Sequence, residues 1–173
     1  ASYNLDKQSR VFLGFGQSSR VPDARELYYT SLGGNQDLDQ TKNKEVDLGY
    51  ELKNDTLKFK IKTFYSDLTD YIYLNSTSNN FKNVDAKVYG AEISSTYFAT
   101  DDITVDAGAS YKRGKKDNAL STQDDKDLAD MAPLRGNIAV NYEYMNNSIV
   151  TAEIQASDRW KDIDSDNGEQ SIA

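Results

Sequence analysis

The chain contains no cysteine and no histidine. With them go disulfides, thiolate nucleophiles, imidazole metal ligands and every histidine-based catalytic arrangement. An enzyme built on this sequence would have to work with carboxylates, lysines or tyrosines alone. Proline is scarce, with 2 residues in 173, so little interrupts long stretches of regular backbone. No secretory leader pattern opens the chain, and no apolar run approaches the roughly 18 residues of a membrane helix. Neither fact bears on a membrane barrel, whose strands need only about 9–11 residues and turn half their side chains to a polar lumen.

What is present suits long strands with wet margins. Hydrophobic residues make up 38% of the chain, and tyrosine at 12 is twice as frequent as phenylalanine at 6. Tyrosine favours strands and carries an apolar body with a polar tip. The formal charge of −8, from 28 acidic and 20 basic residues, argues against a nucleic-acid partner.

The clearest local pattern runs from Lys42 to Leu74. Val46, Leu48, Tyr50 and Leu52 alternate with Glu45, Asp47, Gly49 and Glu51, and Leu57, Phe59 and Ile61 alternate with Lys58, Lys60 and Lys62. Each arm therefore carries one apolar and one charged face. Between them lies KNDT, where Asn54 and Asp55 tolerate the left-handed backbone of a two-residue hairpin turn. Closure there predicts Leu52 opposite Leu57, Glu51 opposite Lys58 and Asp47 opposite Lys62, with the lumen side carrying Asp47, Glu51, Lys58, Lys60 and Lys62.

The same reading extends to seven long strands, at 9–17, 42–53, 56–75, 84–99, 102–113, 134–146 and 148–160, with Ala1 to Leu5 as the tail of an eighth. After the first loop the connections are KNDT, STSNNFKN, ATDD, the stretch from Gly114 to Pro133, and MNNS. Short and long alternate, as on the two rims of an up-and-down barrel. Tyr50, Tyr97, Phe98, Tyr142 and Tyr144 fall close to the short turns, where a barrel carries an interfacial girdle. The predicted fold class is all-β: antiparallel up-and-down strands forming part of a transmembrane β-barrel. Barrels of this kind have even strand numbers from 8 upward, and the chain runs on without a strand after Trp160, so residues 1–173 read as one piece of a larger barrel. The competing reading is a soluble β-rich binding or adhesion module. The two differ in whether the apolar faces meet lipid or a second sheet.

Several stretches carry a family resemblance. FGQSSRVPDARELYY at Phe15 to Tyr29 and GGNQDLDQTKNKEVDLGYE at Gly33 to Glu51 resemble the C-terminal barrel region of TonB-dependent outer-membrane receptors, with Gln36 where the family usually has proline. KTFYSDLTDYIYL at Lys62 to Leu74, VYGAEISSTY at Val88 to Tyr97 and APLRGNIAVNYEY at Ala132 to Tyr144 extend the resemblance over nearly all of the chain. The run from Arg20 to Tyr28, with Val21 as its variable position, is most similar to the copper-uptake subgroup. In this sequence Met131 and Met145 are the soft ligands available to such a role. The resemblance implies no enzyme activity, location in the outer membrane of a Gram-negative bacterium, contact with outer-membrane lipid, and import of a small metal-chelate ligand. It also implies coupling to TonB through segments absent from this sequence, which has no plug domain, no TonB-box segment and no final strand ending in an aromatic residue.

Three groups of residues invite a site. In DIDSDNGE, Asp162, Asp164 and Asp166 alternate like the first three ligands of a calcium loop, and Asn167 is placed for its left-handed turn. Against calcium, Gly168 stands one place late and Ala173 occupies the twelfth position, where a bidentate glutamate belongs. A solvated acidic loop is the alternative, and no cofactor other than this calcium ion is expected. Asp124, Asp125, Asp127 and Asp130, with Lys115, Lys116 and Lys126, read as a flexible external loop. Arg20, Asp23, Arg25 and Glu26 read as salt-bridged loop anchoring. For acid–base chemistry only the pairs Glu45 with Asp47 and Glu92 with Asp85 suggest themselves, and ionised structural pairs explain them better.

Overall fold

The computed structural model describes residues 1–29, 31, 33–120, 124–145 and 148–171. They form one sheet of eight antiparallel strands in chain order: β1 Ser2–Asn4, β2 Ser9–Arg20, β3 Thr41–Lys53, β4 Leu57–Asn75, β5 Asn80–Phe98, β6 Ile103–Lys116, β7 Arg135–Glu143 and β8 Ile149–Ser157. A short helix, α1, spans Ala24–Tyr28 in the first long connection. All seven long strands and the short first one stand where the alternation places them.

Two local expectations are corrected. At the KNDT turn the closing pair is Asn54 and Leu57, because the Asn54 N–H donates to the Leu57 carbonyl at 3.0 Å. The Asn54 side chain accepts from the amides of Thr56 at 2.9 Å and Leu57 at 2.7 Å. This Asx-type turn holds Asp55 and Thr56 at the tip without a left-handed residue, since the described non-glycine residues with positive φ are Asp70, Asn79, Asp130 and Met145. Leu52 therefore opposes Phe59, and Glu51 opposes Lys60, a shift of two residues from the expected register. A shift of two leaves every side chain on its expected face, which is why the two faces were legible when the register was not. Asp47 still reaches Lys62, diagonally, at 2.8 Å.

The second correction concerns STSNNFKN. β4 and β5 are 19 residues each and stay paired out to Asn75 and Asn80, so only residues 76–79 connect them. A four-residue tip on the long-loop rim breaks the strict alternation of loop lengths. The pairing survives this far because a bulge between Leu68 and Tyr71 absorbs an extra residue. Asp70 takes the left-handed conformation there, with φ of 56°. Its amide donates to the Asp85 carboxylate at 3.1 Å and its carbonyl accepts from the Asn83 side chain at 2.7 Å.

The register sorts the side chains into two continuous faces. One carries Phe15, Val46, Tyr65 and Tyr89 in a row across four strands, then Leu13 and Leu48, and further down Ile93, Ile138, Val140 and Ile154. These apolar side chains are exposed, with Phe15 at 70%, Leu48 at 57% and Ile154 at 71%. Tyr65, Tyr89 and Tyr111 border the band toward the long loops; Tyr97, Tyr142 and Tyr144 border it toward the short turns. Tyr89 and Tyr97 are eight residues apart, roughly 26 Å along the strand, which is the scale of a bilayer's apolar layer. Phe98 departs from the expected girdle: it turns to the other face, where the Lys58 ammonium lies 4.9 Å from its ring centroid.

That opposite face is polar, and its buried apolar cluster is small. Tyr73, Val84, Ala86 and Leu128, with Leu68, Tyr71, Val88 and Met131 packed around them, form it where the connection after β6 folds back over β4 and β5. Elsewhere aromatic rings lie against glycines. Phe64 covers Gly90, where an added Cβ would meet the Tyr111 carbonyl oxygen at 2.3 Å and the Phe64 ring at 2.7 Å. Gly90→Ala is expected to destabilise the protein by about 1–3 kcal/mol through overpacking against rigid backbone. A lowered urea midpoint at unchanged m checks this.

Candidate functional site

The polar face holds a concavity of about 950 Å³. Lys60 and Lys62 of β4, Glu92 and Ser94 of β5, Ser110 of β6, Asn137 of β7 and Gln155 of β8 line it, and Pro133, Arg135, Asp158, Arg159 and Trp160 bound it toward the long-loop rim. Alternation puts these side chains on one face because each strand contributes every second residue. Asp47, Glu51, Lys58, Lys60 and Lys62 all stand on this face, as expected. Lys60 pairs with Glu51 at 3.2 Å and Lys62 with Asp47 at 2.8 Å, while Arg10 reaches Glu51 at 2.6 Å. The wall thus presents lysines whose charges are largely answered locally.

At the long-loop rim, the three aspartates of DIDSDNGE part company. Asp162 pairs with Arg113 at 2.7 Å, Asp164 with Lys116 at 2.6 Å, and the Asp166 carboxylate accepts from the Asp125 amide at 2.7 Å. Among the described residues no group of three or more carboxylates lies together as metal ligands would. Ala173, the twelfth position of the calcium pattern, lies outside the described residues. The left-handed turn falls at Gly168, with φ of 78°, rather than at Asn167, which ends a 3₁₀ turn at Ser165–Asn167.

The described part of the connection between β6 and β7 is not the loose acidic loop its composition suggests. Lys116 and Leu128 are each 1% exposed. Asp127 bridges Arg113 and Lys115, and residues 126 and 128 bond back to β6 through backbone amides and carbonyls. Asp125 accepts from the Ser165 hydroxyl at 2.7 Å and its amide at 3.0 Å. Burial pushes the Asp125 carboxyl up, but the hydrogen bonds from Ser165 and from the Asp127 amide outweigh it and hold the group below the usual carboxylate range. A carboxyl depressed by folding adds stability above its unfolded value, about 3.9, and loses it as pH falls through the lower folded value. The Asp125–Ser165 contact is therefore expected to hold near neutrality and to loosen below about pH 4. Pepsin cleavage within 158–171, followed downward in pH and compared with Asp125→Asn, checks it.

The sequence that builds these faces matches a known family: the model for TonB dependent receptor-like, beta-barrel aligns with residues 1–171. The chain belongs to the TonB-dependent receptor β-barrel family. No curated protein matches it. Among solved structures it is similar to the copper transporter OprC, with a TM-score of 0.83 and 22% identity over 94% of this chain and 25% of that one. The FrpB iron transporter from Neisseria meningitidis matches with a TM-score of 0.69 and 14% identity over 91% of this chain and 26% of that one. The ferric enterobactin receptor PfeA from Pseudomonas aeruginosa matches with a TM-score of 0.69 and 16% identity over 89% and 26%. The chain thus spans about a quarter of the length of each.

In this receptor-barrel wall the carboxylates considered for catalysis have structural partners or stand apart. Glu45 accepts from the Ser66 hydroxyl at 2.6 Å, and Asp47 is held by Lys62. Glu92 lines the concavity, whereas Asp85 is seven residues away on the other face, bonded to the Asp70 amide. Arg20 grips Glu26 through two bonds of 2.8 and 2.9 Å, and Asp23 and Glu26 form a capping box on α1. Arg20, Asp23 and Glu26 thus anchor the loop, as read from sequence, while Arg25 takes part through its carbonyl, which accepts from the Tyr29 amide at 3.1 Å.

Sequence reading missed the centre of the rim. Lys116, Asp164 and Tyr73 meet there: the Tyr73 hydroxyl donates to Asp164 and accepts from the Ala129 amide at 3.0 Å. The Lys116 ammonium also lies 4.9 Å from the Tyr73 ring centroid. Alternation along KRGKK puts Lys116 on the polar face, whereas Tyr73, odd-numbered like Phe59 and Ile61, reaches that face only because the bulge between Leu68 and Tyr71 shifts the alternation by one residue. Nothing local in the sequence pairs them with an aspartate 48 residues beyond Lys116.

Proposed function

We propose that this chain is part of the wall of an outer-membrane TonB-dependent receptor in a Gram-negative bacterium, which imports a metal or a small metal chelate of the copper or siderophore type. The observation that carries this reading is the arrangement of the faces: the exposed apolar rows have no covering sheet among the described residues, and the charged rows line the concavity. A soluble module would have to bury those rows. In a bilayer they need no cover, because lipid is their solvent. Outer-membrane lipid is then one partner. TonB, acting through other parts of the receptor, supplies the energy, and residues 1–173 are one barrel portion accompanied by a plug domain. The ligand class follows from the relatives, whose names specify copper, iron and ferric enterobactin.

The absence of native cysteine in this chain gives a direct test. In the full-length receptor, Asp47→Cys is expected to react with a charged, water-soluble maleimide, and Leu48→Cys, one residue on, to react only with a lipid-soluble one. Equal labelling of both by the water-soluble reagent would overturn the membrane-wall reading. Import is tested separately, by following uptake of copper and of ferric enterobactin in cells with and without TonB; uptake of neither, or uptake independent of TonB, overturns it.

A further inference from the structure

Residues 158–171, the strap after β8, have two apolar side chains among the described residues, Trp160 and Ile163, and little hydrophobic burial to hold them. Polar contacts hold the strap instead, and they reach three places distant in sequence. Asp164 meets Lys116 at the end of β6 and Tyr73 near the end of β4. Glu169 accepts from the amides of Asp164 and Asp130, both at 2.7 Å, tying the strap to the β6–β7 connection. The Asn167 side chain donates to the Leu74 carbonyl at 3.0 Å and accepts from the Ser76 amide at 2.8 Å, tying it to the β4–β5 tip.

We propose that Asp164 is the pin of a latch that makes the strap, the β6–β7 connection and the β4–β5 tip one cooperative unit, which docks and undocks as a whole. The physical reason is the burial of the pair. The Lys116 and Asp164 side chains are both 0% exposed. A half-released strap would leave one of these charges buried without its counter-charge, which is the costliest arrangement available to it. Intermediate positions are therefore unfavourable, and the strap has two states: pinned with both charges paired, or released with water reaching both. Release also frees the hydroxyl of Tyr73, which packs with Leu128 in an apolar cluster of the rim, so the loosening spreads to the β6–β7 connection and the β4–β5 tip. The root of the strap, Asp158, Arg159 and Trp160, bounds the concavity. The latch thus sets the position of that edge, whatever ligand the receptor takes.

Hydrogen exchange on the full-length receptor tests the coupling. Asp164→Asn is expected to raise exchange by about ten-fold or more in residues 71–82, 124–134 and 158–171 together, with β3 and β7 unchanged. A rise confined to 162–169 would overturn the proposal. Should that variant fail to assemble, Asp125→Cys/Ser165→Cys carries the test alone, since the Asp125 carboxylate and Ser165 hydroxyl are 2.7 Å apart. Oxidation of this pair is expected to slow exchange in all three segments relative to its reduced form. Slowing limited to the two cross-linked segments, with 71–82 unmoved, would count against a single unit.

Discussion

Ile93→Arg is expected to destabilise the receptor by about 2–4 kcal/mol, whereas Ser94→Arg, the next residue on the same strand, is expected to change stability by no more than about 1 kcal/mol. Ile93 is 40% exposed on the apolar face, midway between Tyr89 and Tyr97. Ser94 lines the concavity on the polar face. At mid-depth of a bilayer a guanidinium on the outer face must leave water or deform the lipid around it, while one on the inner face stays hydrated. On a soluble module the same two substitutions would rank differently, because an exposed isoleucine replaced by arginine is close to neutral in water. Urea unfolding of the full-length receptor in lipid vesicles measures both. Equal effects at Ile93 and Ser94 would remove the membrane from the explanation of the apolar rows.

The second large effect is expected at the rim. Lys116→Met keeps most of the stem that packs beside Tyr73 and removes the charge opposite Asp164. Breaking a buried pair by deleting one partner typically costs about 3–5 kcal/mol, because the remaining charge is left without compensation in a site water does not reach. Tyr73 continues to donate to Asp164, which softens the loss without replacing the ammonium. The loss should appear as faster proteolysis of the β6–β7 connection and the strap. Lys116→Met with Asp164→Leu should recover a good part of it, since apolar residues of similar volume often replace a buried pair at little cost. Recovery by the double variant identifies the cost as that of an orphaned charge. A double variant as labile as the single one would show that Asp164 acts through its other bonds, to Tyr73 and Asn167.

The alternation in β3 and β4 determined the fold class and the sorting of side chains into an apolar and a charged face, because a strand's side-chain period of two is a local property. It also placed Lys60 and Lys62 on the wall of the concavity and Glu51 on the same face, and the same alternation along the rest of the chain located the other strands. Register at the KNDT turn was less legible, since Asn54 can close a hairpin in two ways and only the hydrogen bonds of its side chain decide between them. The length of the β4–β5 hairpin was hidden for a related reason: past the bulge at Asp70 the residues FKN look like loop but remain paired with IYL.

Tertiary structure alone decided the rim. By composition, Asp124 to Asp130 and Asp162 to Glu169 are acidic solvated loops, and a sequence pattern has no means of bringing them to one place. The fold delivers Lys116, Tyr73 and Asp164 to a common buried point from positions separated by 43 to 91 residues along the chain. There an ion pair becomes the cheapest way to seat charges that water has left. The two faces of the wall were written in nearest-neighbour order; the lock on its rim exists only because the sheet brings its ends together.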